Sequence, residues 1–479
     1  MKQSQRKLDP STPSVWYAPL AAKYALVNTL LGGTEAMRGA GETYLPRHER
    51  EENRVYVERL SQAFLHPLFE NTVQTLASKP FTDRLTADLG GNRYDAMLAD
   101  IDGEGRTLDQ FCRHWFEHAL AYGVGHVLVE TDTITTTVEA TEDDGAIIRN
   151  VYTSYRPRWK FIAAPDLFAA GHVTLPDGTR TLGYVRYLER QTVRDGFEEY
   201  EAHVIRELVL NGQGTVTANT YTLNERRKWI LAASMVTDAT RIPLHSFFAG
   251  NRTGDFSCLP PLLKLAETNV EHWQKKSDYD SIIRVAGFPL LGVSGSLPDD
   301  DGTGGQELII GPRTMVRLPD PASKAYYIEH SGAAISCIRQ AILDVEDRAS
   351  EFGLHMLRRK SGNISATARA LDEVALMAPL ESLALAFRST VETALAATFD
   401  TSAVVEMTTD FGIDAASGED LKTLLAMEAA GVLSAAALRR EMMRRGVLAD
   451  DFDEDRNARE IEAQLPRLPR RDDPEGLLQ

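Results

Sequence analysis

A chain of 479 residues, 43% hydrophobic and 25% charged, carries enough apolar material for a sizeable core and has the length of about two to four domains, which excludes a disordered class. Its 52 Lys and Arg against 69 Asp and Glu leave a formal net charge of −17, so the surface as a whole repels nucleic acid and anionic lipid, which argues against a general DNA-coating protein. Cys112, Cys258 and Cys337 stand far apart without a C-x-x-C pair and read as small buried thiols in a reducing cytoplasm.

Met1 to Lys7 has the positive charge of a signal peptide but no apolar stretch behind it, so export is not expected. The apolar window Val374 to Phe387 is interrupted by Pro379 and Glu381 and falls short of the ~20 apolar residues that cross a bilayer. The first hundred residues read as helical. Leu60, Phe64, Leu68 and Phe69, then Val73, Leu76 and Ala77, recur on much the same face and predict an amphipathic helix.

From Gly123 to about Trp229 the period shortens to that of strands. Val124, Val127 and Val129, then Tyr184 to Leu188, then Tyr200 to Val204, form short runs. Pro176-Asp177-Gly178 and Asn211-Gly212 supply turns, because Gly and Asn tolerate positive φ, so a β-meander is expected. After Pro260-Pro261 a helix carries Leu262, Ala266, Val270 and Trp273 on one face and runs to about Val285. Residues 287–331 are rich in Gly, Pro and Asp with short apolar pieces, which predicts a small β-containing excursion between two helices.

The second helix, about Ala333 to Phe352, has Ile335, Ile338, Ile342, Val345 and Ala349 as its apolar stripe; Asp344, Asp347 and Glu351 lie about a turn apart on another side. A third long helix carries Leu380, Leu383, Phe387, Val391 and Leu395, with Pro379 as its N1 residue or a kink. Residues 401–412 read as a strand. Two short helices hinged at Gly431 follow, opened by Ser417-Gly418-Glu419-Asp420 and by Ser434, and the last dozen residues read as disordered or a tether.

Enzymatic chemistry is not expected. No Gly-rich phosphate cradle followed by Lys and Ser/Thr exists; Gly302-Thr303-Gly304-Gly305 lacks the Lys and reads as a flexible loop. Gly292-Val293-Ser294-Gly295 has its second glycine one position too early for a serine-hydrolase elbow. His48-Glu49 and His272 have no partner at metal-ligand spacing, and no cofactor is expected. Asp451, Asp453, Asp455 and Glu462 follow calcium-loop spacing, but Arg456 stands where that loop needs Gly to turn, which favours an acidic helix start. Met427 to Arg445 has the outline of a helix–turn–helix in which Arg439, Arg440, Arg444 and Arg445 could meet phosphates. Glu419, Asp420, Glu428 and Glu441 dilute that patch, so a packed helical hairpin is the other reading.

Between the second and third helices, the 20 residues from Phe352 to Leu371 contain no carboxylate yet hold Arg358, Arg359, Lys360 and Arg369. With Ser361-Gly362-Asn363 beside them, they suit sequence-blind contact with a phosphate backbone; a solvated basic loop balancing nearby acids is the alternative.

The order helix, β excursion, helix, loop, long helix and terminal helices resembles the portal proteins of tailed bacteriophages. Several strings resemble that family as well: Gly41-Glu42-Thr43-Tyr44-Leu45-Pro46 with Glu51, Tyr56 and Arg59-Leu60; Ile242-Pro243-Leu244 before Pro260-Pro261; Tyr327-Ile328-Glu329 leading to Gly332; Ser361 to Ala370; and Asp410-Phe411 with Leu421 to Ser434. The resemblance implies an α+β portal fold. Its parts would be a wing over residues 1–250, a first stem helix over 251–286, a clip over 287–331, a second stem helix over 332–353, a tunnel loop over 354–372, the long wing helix and strand over 373–415, and a short helical crown with tail over 416–479.

It further implies a homo-oligomeric ring, a dodecamer, at the portal vertex of a virion, assembled in the host cytoplasm and not in a membrane. Double-stranded DNA would pass through it, and terminase, the major capsid protein and a head–tail adaptor would be partners. Arg358, Arg359, Lys360, Asn363 and Arg369 would contact DNA; Asp344, Asp347 and Glu351 would face the channel; and Asp299, Asp300, Asp301, Glu307, Arg313 and Arg317 would dock partners. The alternatives are a helix–turn–helix DNA-binding protein and another capsid or tail adaptor protein.

Overall fold

The computed structural model describes residues 9–141, 147–286, 290–294, 324–328, 333–351, 366–409, 411, 418–444, 457 and 459. Outside them lie the N-terminal basic run, the glycine-rich 302–305, the calcium-like acids 451–455 with Arg456 and Glu462, and the terminal tail. The architecture is α+β with antiparallel sheets. Two compact units divide the chain: residues 1–361 with 382–409, and residues 362–381 with 410–479.

In the first unit, helices α1 (Ala18–Leu31), α2 (Gly33–Ala40), α3 (Asn53–Gln62) and α4 (Leu68–Ser78) open the chain. The amphipathic helix expected from Leu60 to Ala77 is thus two helices. Ala63 turns extended and Pro67, which cannot donate a backbone N–H, starts the next helix. Phe64 consequently leaves the apolar face and is 63% exposed, while Leu68, Phe69, Val73, Leu76 and Ala77 are buried as the period predicts. Strand β1 (Thr86–Asp88) and the short α5 (Asp95–Leu98) lead to α6 (Leu108–Tyr122), whose start is fixed by a capping box between Thr107 and Gln110. It stops at Gly123, where φ is 90° and a Cβ would lie 2.9 Å from the Leu259 carbonyl oxygen, so only glycine fits.

Strand β2 (Val124–Thr141) pairs with β3 (Ile147–Ile162) on one edge and, at Val124–Leu128, with β9 (Leu244–Phe248) on the other. The meander is β4 (Leu167–Thr174), β5 (Arg180–Asp195), β6 (Glu198–Leu210), β7 (Val216–Leu223) and β8 (Trp229–Val236), side by side in chain order. Its turns fall where the sequence placed them: Gly178 has φ 84°, and the Asn211 side chain accepts from the Gln213 and Thr215 amides. Leu128, Ile162, Leu167, Val185, Tyr187 and Val216 form the core under the two sheets. A short pair, β10 (Asn251–Arg252) with β11 (Cys258–Leu259), precedes the next helix.

That helix, α7 (Leu263–Ala286), is followed by a hairpin of β12 (Leu290–Ser294) and β13 (Lys324–Ile328), then by α8 (Ala333–Glu351). The expected excursion between two helices therefore contains a hairpin, and Ser294 sits in it rather than in a hydrolase elbow. Cys112 and Cys258 are buried as expected, but Cys337 on α8 is exposed. The long helix α9 (Ala366–Phe399) begins earlier than the sequence suggested. Residues 366–372 are helical and not loop, and Pro379 is interior, because Ala366, Ala368, Ala370 and Leu371 are strong helix formers. Of the strand expected over 401–412, β14 (Val404–Glu406) is the part that forms among the described residues, antiparallel to β1.

Residues 382–399 of α9 dock through Phe387, which is fully buried with its ring 4.9 Å from Phe247, 5.2 Å from Phe116 and 5.3 Å from Trp115. The Trp159 indole N–H donates to Thr398 Oγ1 at 2.9 Å. In the second unit, α10 (Gly418–Ala429) and α11 (Ala435–Arg444) meet at Gly431, whose φ is 71°. Ser434 Oγ accepts from the Ala437 amide, the cap its position predicts, and Leu438 is buried.

Replacing Phe387 by Ala removes the shared contact of four aromatic rings and is expected to cost about 3–5 kcal/mol, read as a lowered denaturant midpoint. Acid should also weaken the fold. Burial pushes the His126 pKa down to about 3 and holds His118 well below its ordinary value, so each contributes stability that is full above the unfolded value of about 6.5 and is lost as pH falls. Denaturant midpoints measured from pH 7.5 to 5 should fall, and less steeply for His126→Gln.

Candidate functional site

The helix–hairpin–helix of α7, β12, β13 and α8 is the candidate site, and its inner face comes from the apolar period. Leu265, Ala266 and Trp273 of α7 are buried, as are Ile342, Val345 and Ala349 of α8, while Ile335 and Ile338 are half-buried. Early α7 meets late α8: Glu271 pairs with Arg348 at 2.7 Å, and His272 Nε2 lies 3.3 Å from Glu346 Oε1. The two helices are therefore antiparallel. His272 is buried, which lowers its pKa against the opposing pull of Glu346. Nothing in the local sequence marks this histidine, because its partner lies 74 positions away, beyond any local spacing.

Away from this seam, α8 exposes Asp344 and Asp347, and Gln340 donates to Asp344 Oδ1 at 2.9 Å. An acid-bearing side opposite a buried stripe is what the sequence predicted. Glu351 ends α8, and its side chain lies outside the described residues, as do those of Arg369 on α9 and Arg444 on α11. Arg358, Arg359, Lys360 and Asn363 lie outside them altogether, as do Asp299, Asp300, Asp301, Glu307, Arg313, Arg317, Glu329 and Arg445. Arg439 is half-buried and Arg440 exposed on α11.

The first helix of the pair, α7, is seated by residues from well-separated parts of the chain. Arg59 of α3, only 6% exposed, donates to both Glu51 carboxylate oxygens at 2.8 Å and to the Pro46 carbonyl at 2.9 Å, and its remaining nitrogen reaches Asp278 of α7 at 3.4 Å. Its guanidinium also lies over the Tyr56 ring, 5.5 Å from the centroid. The Gln274 side chain of α7 donates to the Tyr44 carbonyl at 2.9 Å. A turn further back, the buried Asn269 accepts from the Phe69 amide and donates to the His66 carbonyl, both at 2.9 Å, which satisfies the start of α4 from α7. The hydrogen bonds from Arg59 hold the Glu51 carboxyl below its ordinary pKa.

A second concavity, about 410 Å³, is lined by Arg106, Arg158, Lys160, Asp166, Glu189 and Arg190 among others. Its charges are matched in pairs: Lys160 with Glu189 at 2.8 Å, Arg190 with Asp166 at 2.9 Å. Burial opposes ionisation of Glu189, but hydrogen bonds from Gln191, Lys160 and Arg206 outweigh it and bring its pKa to about 2. A carboxylate so fixed is a poor general base, and the cleft reads as a structural ion network. Among the described residues, no group of His, Cys, Asp and Glu could hold a metal, and no helix is long and apolar enough to cross a membrane.

Residues 261–400, from just ahead of α7 to the end of α9, match a family described as Domain of unknown function (DUF4055). A comparison with curated proteins finds no match. Among solved structures, the chain is similar to one from the neck of an empty GTA particle computed with C6 symmetry, at 12% identity over 84% of this chain and 90% of that one, with a TM-score of 0.44. It is also similar to a chain of the virion of a native gene transfer agent (GTA) particle, at 12% identity over 90% and 98% of the two chains, TM-score 0.42. For a chain from the neck of the native GTA particle computed with C12 symmetry, the values are 12%, 86%, 98% and 0.43.

Arg59→Ala strands the Glu51 carboxylate, 6% exposed, without its partner, and should cost about 3 kcal/mol or more in chemical denaturation. Because the folded pKa of Glu51 is depressed, its contribution is present above the unfolded carboxylate range and is lost as pH falls through the folded value. Glu51→Gln should flatten that acid limb.

Proposed function

We propose that this chain is the subunit of a portal ring of a tailed phage or phage-like particle, a structural, non-enzymatic conduit for double-stranded DNA. The observation that carries the reading is the antiparallel α7–α8 pair, tipped by the β12–β13 hairpin and followed by the carboxylate-free segment and the long α9. The coarse order of helix, β hairpin, helix and long helix supports this reading, although α9 begins at Ala366, earlier than the resemblance implies. A conduit must hold a sliding polyanion weakly and without regard to sequence. Acidic walls from Asp344 and Asp347 with a ring of basic loops from Arg358, Arg359 and Lys360 meet that need better than a uniformly basic bore.

On this reading, residues 287–331 dock the terminase motor and the head–tail adaptor, and the ring sits at one capsid vertex against the major capsid protein. ATP is hydrolysed by the motor, in keeping with the absence of a phosphate-cradle string from this sequence.

Negative-stain imaging of the purified chain tests the ring: a closed annulus with a central hole is the expected result, and a monomer or dimer that shifts an oligonucleotide would instead favour the helix–turn–helix reading of α10 and α11. The triple replacement of Arg358, Arg359 and Lys360 by Ala should leave rings intact and lower packaged DNA per particle for every sequence alike, more visibly at low salt. Normal packaging by that variant across salt would remove the loop from DNA contact.

A further inference from the structure

We infer that β8 of one copy of this chain is covered by the outer edge of β2 from a neighbouring copy, added as an antiparallel strand; the inference rests on the ring reading above. Strand β8 pairs with β7 on one side, and among the described residues no strand pairs with its other side. It carries no charge from Trp229 to Val236, and Ile230, Leu231, Met235 and Val236 are 47%, 54%, 64% and 61% exposed. An apolar edge without charge or proline, interrupted by one register shift at Ala232, is a template for strand addition, which folded proteins cover or blunt.

The complementary surface is in the same chain. Beyond Leu128, β2 keeps only β3 as its partner, so one edge of this 18-residue strand has no strand against it among the described residues. A two-stranded arm is marginal in water by itself and gains most from a third strand. Residues 134–141 match the eight residues of β8 in length.

Charge sets the direction. The sequence at the end of the β2–β3 arm is acidic in balance, with Glu139, Glu142, Asp143 and Asp144 against Arg149, whereas the β7–β8 turn is basic in balance, exposing Arg226, Arg227 and Lys228 against Glu225. With the acidic sequence at the basic turn, β2 runs opposite to β8, the more stable pairing. Because the two surfaces differ, the contact is head-to-tail, the kind that generates closed rings.

Two variants test it by native mass spectrometry. One carries Leu231→Lys and Met235→Lys, both at exposed positions; the other replaces residues 133–155 by Asn-Gly, joining the paired Asp132 and Arg156 through a two-residue turn. Each variant alone should lose the ring, and a mixture should give a heterodimer, since each supplies the element the other lacks. Rings from either variant, or a mixture without heterodimer, would overturn the inference. Independently, amide exchange over residues 229–236 of the unaltered chain should slow when the ring assembles, and unchanged exchange would overturn it as well. A wild-type chain that stays monomeric under the same conditions would instead overturn the ring reading itself.

Discussion

A buried guanidinium is the constraint on which the seating of α7 depends. Arg59 cannot lose its charge at any ordinary pH, so every nitrogen removed from water must find an acceptor. Glu51 and the Pro46 carbonyl, just ahead of α3, and Asp278 of α7 are those acceptors. Residues 46–59 and α7, far apart in the chain, are thereby held in one relation, and departure of either exposes an uncompensated charge. Buried apolar contact alone tolerates sliding; this arrangement does not.

Around that point the structure divides labour between kinds of contact. Apolar stripes bring α7 and α8 together, and the Glu271–Arg348 and His272–Glu346 pairs fix which turn meets which. The Lys160, Glu189 and Arg206 network in the sheets, with buried His126 on β2 and His118 on α6, supplies polar definition within otherwise apolar surroundings. The neutral histidines at 118 and 126 tie this definition to pH. Any compartment acid enough to protonate them works against the folded chain.

Much of the fold was legible because it is written in local period and turn chemistry. The order of helix, β excursion and helix, the meander turns at Pro176–Gly178 and Asn211, and the Gly431 hinge follow from spacing and turn residues, although the positive φ of the Asn211 turn falls on Gly214 and not on Asn211 or Gly212. What was not legible depends on partners far away or on competing local signals. Phe64 satisfied the helical period yet was displaced by the break before Pro67, and Pro379 was outvoted by the alanines ahead of it. The arm of β2 and β3 read as shorter strands, because its threonines look like loop residues until each is paired across the hairpin. At the candidate site, the acidic side of α8 was visible in the sequence, but the pairing of Arg59 with Asp278, 219 positions apart, leaves no local trace.

The interior proline of α9 has a mechanical consequence. Pro379 donates no backbone hydrogen bond and crowds the carbonyl one turn before it, a cost of about 3 kcal/mol in a helix interior. The helix therefore has a weak turn at Pro379, ahead of the half pinned by Phe387. Each residue that passes from helix to extended chain lengthens its span from about 1.5 Å to about 3.3 Å. Unwinding ahead of that turn would therefore lengthen the chain without disturbing the aromatic cluster around Phe387.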